Sequence, residues 1–496
     1  MQPGSFVVTV DEDRYELARQ NRDPRFDGRF FVGVLTTGIY CRPVCPVRIP
    51  KRENVVLYPS AAAAAEAGFR PCLRCRPESS PGTPAWVGSS ATVTRALQLI
   101  SRGGTQWEST VALADSLGVG ARQLTRLFRK HLGATPRSVL QTHRLHFAKR
   151  LLDETELPVS EICFAAGFGS IRRFNDVVKA TYGTPPSHLR RHPAKLRQQP
   201  QGIHLKLAFR PPFDWAAMLD FFARRAIPGV ESVTGSCYQR SFLLRGIPGV
   251  LQVAFTAGEN CARLQIDYPD SGRLLEIVER VRQMFDLSAD SSWIDQHLGR
   301  TPQLAAVVAR YPGTRVPGCW DGLEIAVRAI VGQQVSVKAA ITLLERLVAR
   351  TGSDLPKVAE RTGGTIVRVF PDAGQLAAAD LSGLGITGQR IEAIRSIARA
   401  VAVQRLEFDE RLNADEFNRR VRQIRGIGDW TAQYIALRSL RDPDAFPHGD
   451  LILRRALAAA GSKPMSSTDL LTIAESWRPW RAYAVMLLWR HYADAG

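Results

Sequence analysis

The sequence predicts a multidomain, mainly α-helical chain with α+β parts. A small α/β module held by four cysteines comes first, two helix-turn-helix units follow, and an α+β subdomain precedes an all-helical domain built around a glycine hairpin. Three observations carry this reading. Four of the eight cysteines fall in two tight pairs, Cys41/Cys45 and Cys72/Cys75. A helix–glycine–helix pattern occurs twice in the most basic stretch. A Gly-Ile-Gly turn at 426–428 stands some twenty residues before Asp450. At 496 residues the chain also exceeds what one hydrophobic core usually serves.

The bulk composition narrows the function classes. With 45% hydrophobic and 23% charged residues the chain reads as globular. No apolar run reaches the ~18 residues of a membrane span, so no membrane partner is expected. The opening MQPGSFVVTVDEDRYE is acidic where an export signal is basic, so a cytoplasmic, nucleoid-associated protein is expected. In that reducing compartment close cysteine pairs bind metal more readily than they form disulfides. The net charge of +19 is uneven: residues 81–200 hold 17 Lys and Arg against 7 Asp and Glu, whereas 201–496 hold 37 against 31. The middle segment is therefore the expected footprint for nucleic-acid phosphates.

Turn-rich stretches at Glu78–Pro84 and His192–Gly202 read as linkers. They divide the chain into modules at 1–78, 86–192, 203–285 and 286–496. In the third, short apolar runs such as Val250–Phe255 predict strands. From Asp286 onward the spacing of Leu323, Ala326, Val327 and Ile330 is helical.

In the first module, Cys41-Arg-Pro-Val-Cys45 and Cys72-Leu-Arg-Cys75 predict one tetrathiolate Zn2+ site, since four sulfurs converging on a point make a closed tetrahedron that also stabilises a small core. The flanking Asp27-Gly-Arg-Phe-Phe-Val-Gly-Val-Leu-Thr-Thr-Gly-Ile-Tyr-Cys41 and Ala67-Gly-Phe-Arg-Pro-Cys-Leu-Arg-Cys75-Arg-Pro closely resemble the N-terminal domain of Ada. That resemblance implies that Cys41 accepts a methyl group from a DNA methylphosphotriester, with Cys45, Cys72 and Cys75 as fellow ligands.

In the second module, residues 110–130 read as a short helix ended by Gly118 and a second helix projecting Arg122, Gln123 and Arg126. Residues 159–179 repeat the pattern around Gly167, with Ser170, Arg172 and Arg173 leading the outward face; Cys163 reads as core. The two units, ending in Tyr182-Gly-Thr-Pro-Pro-Ser, look like the AraC family of DNA-binding domains.

In the last module, Gly426 and Gly428 permit a tight turn whose N–H groups face a phosphate. Asp450 alone would read as a helix N-cap. Hairpin and downstream aspartate together resemble the helix-hairpin-helix DNA glycosylases, in which such a carboxylate stabilises the developing oxocarbenium ion. Trp430 stands where strand-cleaving relatives carry a Schiff-base lysine, so an intact abasic strand is expected. No cysteine follows Cys319, which excludes the iron–sulfur cluster of some relatives.

The segments Ala329–Ser336, Gly426–Tyr434 and Trp477–Trp489 match the AlkA branch. The resemblance implies that Trp430, Tyr434 and Trp489 line a pocket for alkylated bases, while Trp480 and Tyr483 read as core. Gln334, beside Gln333, stands where the family usually has a leucine wedge. No Pro-Cys-His-Arg motif is present, so removal of methyl from O6 of guanine is not expected.

The combined reading is an alkylation-repair and adaptive-response protein that excises bases such as 3-methyladenine, accepts methyl at Cys41 and activates promoters. The expected partners are double-stranded DNA, damaged and promoter, and RNA polymerase, with the chain a monomer. Two alternatives stand beside it: a regulator whose glycosylase-like half only senses lesions, and an enzyme whose helix-turn-helix part only tethers it to DNA.

Overall fold

The computed structural model describes residues 12–81, 91–102, 109–190, 202–408, 414–458 and 463–495. The opening MQPGSFVVTVD, residues 82–84 of the first linker stretch and residues 192–201 of the second lie outside the described residues; the start of the first stretch is not an open linker, since Pro77–Ser79 form a short 3-10 helix with Glu78 buried. Two compact units are present: one comprises residues 1–211, 258–282 and 287–290, the other 212–257, 283–286 and 291–496. The segment expected at 203–285 contributes to both. Among the described residues no helix is long and apolar enough to cross a membrane.

The first unit opens with helix α1 (Glu12–Gln20) and a four-stranded sheet of order β3-β1-β2-β4, from β1 (Phe31–Val34), β2 (Ile39–Cys41), β3 (Val55–Tyr58) and β4 (Arg70–Pro71). Alternation along β1 explains its two packed faces: Phe30, Val32 and Val34 join Ala18, while Phe31 joins Ala61 and Ala64 of helix α2 (Ala61–Glu66). The run of alanines thus forms a helix, capped by Ser60, whose Oγ accepts from the Ala63 N–H.

The helical segment follows in the same unit: α3 (Ala91–Arg102), α4 (Thr110–Ser116), α5 (Ala121–Leu132), α6 (Pro136–Glu154), α7 (Val159–Ala165) and α8 (Ile171–Tyr182). Leu113, Leu117, Leu124 and Phe128 lie in its first core with Leu127 half-buried against them, and Cys163 is buried. Gly118 and Gly167 take left-handed φ values of 67° and 83°, which side chains resist, so each ends its first helix sharply.

In the second unit, strands Glu231–Thr234, Cys237–Leu244 and Ile247–Phe255 form an antiparallel meander. Helix Trp215–Ala223 precedes these strands, and helices from Ser291–Leu298 to Arg481–Ala495 follow, with a short two-stranded ribbon at Ser353–Asp354 and Arg368–Val369. Trp480 and Tyr483 are buried, and Tyr483 donates to Oδ2 of Asp286 at 2.8 Å.

Candidate functional sites: a four-cysteine centre and an aspartate pocket

The cysteine centre follows from strand register. Parallel pairing of β2 with β4 sets Tyr40 opposite Pro71, and the Cys72 N–H donates to the Tyr40 carbonyl at 3.0 Å. Cys41 and Cys72, one residue further along each strand, are thereby brought side by side. The turns that follow return Cys45 and Cys75, and all four buried sulfurs lie within 4.8 Å of one another. A tetrahedron with metal–sulfur bonds of about 2.3 Å has sulfurs about 3.8 Å apart, so the donor set fits one Zn2+ ion.

Backbone N–H groups already reach two of these sulfurs: that of Arg42 donates to Cys75 Sγ at 3.3 Å, and that of Cys75 to Cys72 Sγ at 3.5 Å. The Arg42 side chain forks onto Asp27, with Nε 2.9 Å from Oδ1, and also donates to the Cys75 carbonyl at 3.1 Å.

Both flanks of the centre touch helix α6. Tyr40, preceding Cys41, places its hydroxyl 3.0 Å from Nε2 of His146. Arg76, following Cys75, meets Asp153 at 2.8 Å and Glu78 at 3.4 Å, and Lys149 bonds Asp153 at 2.6 Å. Burial, with His143 and Arg150 nearby, pushes the His146 imidazole down to about 3.

On the basic helices, Arg122, Gln123 and Arg126 of α5 are exposed, as are Arg172 and Arg173 of α8. Ser170 is exposed too, but its hydroxyl caps α8 by accepting from the Arg173 N–H at 3.5 Å.

The second site centres on Asp450, which is 9% exposed. Its Oδ1 caps helix Leu451–Ala456, accepting from the Leu453 N–H at 3.0 Å. The same oxygen accepts from the Trp489 indole at 3.2 Å, and Oδ2 accepts from the Trp430 indole at 2.8 Å. Cap and pocket carboxylate are therefore one group, oriented by three donors. Trp430 stacks on Tyr434 (centroids 5.3 Å, 13°), and Trp489 tilts against Tyr434 at 6.2 Å. These residues line a cavity of about 450 Å³, and no lysine is among its described lining residues.

Gly426 has φ 94°, and a Cβ there would stand 3.0 Å from that of Ala393. Gly428 is extended instead and caps helix Asp429–Ile435 through its backbone alone. Gln333 ties the loop before helix Val337–Thr351 to this hairpin, its Nε2 donating to the Gly426 carbonyl at 3.0 Å and to Thr431 Oγ1 at 3.1 Å. Arg390 donates to the Gln333 carbonyl. Next to this anchor Gln334 is exposed, with φ 53°.

Family models match along the chain: the metal binding domain of Ada at residues 14–78, a helix-turn-helix domain at 113–192, the AlkA N-terminal domain at 204–321, and the HhH-GPD superfamily of base excision DNA repair proteins at 327–482. A probable bifunctional transcriptional activator/DNA repair enzyme AlkA of Mycobacterium tuberculosis is 39% identical over 483 residues, covering 97% of this chain and 96% of that protein. The chain belongs to the bifunctional Ada/AlkA family. Escherichia coli DNA-3-methyladenine glycosylase 2 is 32% identical over 57% of this chain and 95% of its own length. A solved 3-methyladenine DNA glycosylase from Archaeoglobus fulgidus shares the fold, with TM-score 0.52 and 20% identity over 59% of this chain and 99% of that one.

In this Ada/AlkA chain the structure brings the four cysteines together at one centre and Asp450, Trp430, Tyr434 and Trp489 together at the other, whereas Gln333 and Gln334, also expected at the pocket, are not among the described residues that line it. The structure also adds groups that sequence reasoning missed. Arg438, one helical turn beyond Tyr434, donates to the Tyr434 hydroxyl at 2.8 Å; the four-residue spacing Trp430, Tyr434, Arg438 was the available signal. Arg240 bonds Glu324 at 2.6 Å, and Arg328 pairs with both Glu324 and Glu231, forming a buried quartet along the cavity wall. Burial would raise the Glu231 carboxyl, but Arg328 and Arg240 outweigh it and hold the group at about 2. Only the Glu324/Arg328 spacing hinted at this network.

Proposed function

We propose that this protein is a bifunctional DNA repair enzyme and transcriptional activator. In this reading the modules at 1–78, 86–192, 203–285 and 286–496 respectively accept methyl groups, bind promoters, support the pocket and excise bases. The observation that carries the excision role is the buried Asp450 carboxylate, held by two indole N–H groups in the wall of a cavity that Trp430, Tyr434 and Trp489 also line.

A base turned out of the duplex stacks on Trp430, Tyr434 and Trp489, leaving its sugar beside Asp450. As the glycosidic bond breaks, its electron pair leaves with the base and positive charge builds on the deoxyribose. The Asp450 carboxylate stabilises that charge, and water adds to the sugar carbon and gives up a proton to solvent. With Trp430 at the position of a nucleophilic lysine, no Schiff base forms and the strand stays intact. The backbone N–H groups of the Gly426–Gly428 hairpin take a phosphate, and Gln334 reaches toward the gap in the duplex.

At the cysteine centre, Cys41, Cys45, Cys72 and Cys75 hold the zinc ion, which keeps the sulfurs deprotonated and electron-rich at neutral pH. Cys41 Sγ attacks the methyl carbon of a methylphosphotriester. A carbon–sulfur bond forms, the carbon–oxygen bond breaks, and its electron pair leaves on the phosphate. The resulting thioether is not hydrolysed, so each molecule reacts once. One negative charge is lost beside a polyanion, which tightens DNA binding by the helices carrying Arg122, Gln123, Arg126, Ser170, Arg172 and Arg173.

Incubation with methylated DNA tests both roles in one sample. Mass spectrometry is expected to show one added methyl on Cys41 together with free alkylated base. Absence of base release would leave a regulator that only senses lesions.

A further inference from the structure

We propose that Arg225 and Arg438 bias the base pocket toward neutral damaged bases, offsetting the preference that aromatic stacking gives to cationic ones. The inference rests on the glycosylase reading above. Four arginines and three carboxylates line the cavity: Arg225, Arg240, Arg328 and Arg438 against Glu231, Glu324 and Asp450. These seven do not contribute equally to the field. Arg240, Arg328, Glu231 and Glu324 form the quartet described above and neutralise one another. Asp450 lies at the sugar end, bonded to Trp430 and Trp489. Arg225 and Arg438 remain, and among the described residues neither pairs with a carboxylate.

Their surroundings are neutral dipoles and an aromatic face. Arg438 is buried and donates to the Pro317 carbonyl, to the Gly318 carbonyl at 2.9 Å and to the Tyr434 hydroxyl at 2.8 Å. The Arg225 guanidinium lies 3.9 Å from the Phe221 ring centroid, and that of Arg438 lies 4.8 Å from the same ring. Both charges therefore act on the pocket wall without a counter-ion to cancel them. The Tyr434 phenol registers the result: burial pushes it up, yet the Arg438 and Arg225 guanidiniums outweigh burial and hold it below its ordinary value.

A base stacked on Tyr434 meets the same positive potential. A purine carrying a formal charge, such as 7-methylguanine, is repelled, and the arginines behind the ring weaken its cation–π attraction. A neutral purine such as hypoxanthine escapes that repulsion. It also gains as it departs, because electron density then collects on the base beside two cations.

The test compares single-turnover release of 7-methylguanine and of hypoxanthine from the same duplex sequence, by the full-length protein and by Arg225→Met and Arg438→Met. Each variant is expected to raise the 7-methylguanine-to-hypoxanthine ratio roughly tenfold, the scale of one nearby charge in a partly screened site. Arg438→Met also removes bonds to two carbonyls. Should that variant fail to fold, the half-buried Arg225 decides the matter alone. A purely structural role lowers both rates together, and an unchanged or falling ratio overturns the inference while leaving the glycosylase reading intact. Release of neither base by the unaltered protein overturns the glycosylase reading itself, and the inference with it.

Discussion

The indole N–H of Trp430 donates to Oδ2 of Asp450 at 2.8 Å, so the residue proposed to exclude Schiff-base chemistry also orients the carboxylate proposed for base excision. Trp430→Phe keeps an aromatic face beside Tyr434 and deletes only the donor. Base release is expected to fall about tenfold, the usual scale for one hydrogen bond to a charged group. Damaged-DNA affinity is expected to change little. An equal loss of binding would place the effect in stacking rather than in the bond.

Asp450→Asn keeps the shape and retains an acceptor for the helix cap, but removes the negative charge. Loss of base release by a factor on the order of 10² to 10³ is expected, the scale of one preorganised electrostatic contact. Retained affinity for duplexes holding an alkylated base, measured by anisotropy, would locate the defect in the chemical step. Near-normal turnover would remove Asp450 from the mechanism.

The cysteine centre and the aspartate pocket were legible in the sequence because each is carried by short local spacings. Cys41/Cys45 and Cys72/Cys75 announce their geometry within four residues, and Gly426 announces a turn that only a glycine readily makes. The charges around the pocket were not legible. Arg225 and Glu231 come from the strand-bearing segment, far along the chain from Tyr434, and only folding brings them to one wall. Ser170 shows the reverse limit. Its outward position was readable, yet its hydroxyl is engaged in capping α8, a use that leading a helix equally permits. The helix cap expected of an isolated Asp450 is also real: cap and pocket are not exclusive, and three donors share its two oxygens.

Zinc removal tests the first centre separately. A strong chelator is expected to abolish methyl uptake and to lower the thermal stability of the cysteine module, since four thiols at this spacing gain their order from the ion. Cys41→Ser is expected to lose methyl uptake while releasing bases at the normal rate. Methylation of Cys45, Cys72 or Cys75 in the unaltered protein, read from peptide masses, would reassign the acceptor.

The two hairpin glycines are expected to differ. At Gly426 a side chain meets both an unfavourable φ of 94° and a Cβ contact of 3.0 Å with Ala393, so Gly426→Ala is expected to destabilise by about 1–3 kcal/mol. A Cβ at Gly428 meets nothing within 4 Å and its φ is −85°, so Gly428→Ala is expected to cost under about 1 kcal/mol. Denaturant midpoints of the two variants compare these directly. Equal losses would show that the turn demands glycine at both positions.

Acid sensitivity of the first unit is expected to run partly through His146. Its imidazole is held at about 3 in the folded protein, against about 6.5 for an unperturbed histidine. Between those values the unfolded chain binds a proton that the folded chain does not, so stability rises with pH across that window. The contribution is fully present above about pH 6.5 and drains away as the pH falls toward 3. At pH 5 the loss is at most about 2 kcal/mol, less where solvent screens this half-buried ring. His146→Gln keeps a group able to bond the Tyr40 hydroxyl but cannot titrate. Urea midpoints at pH 7 and pH 5 are expected to shift less in this variant than in the unaltered protein, and since both carry the same cysteines, protonation of the metal ligands cancels from the comparison. Parallel shifts in the two proteins would assign the acid sensitivity elsewhere, with the thiolates as the next candidates.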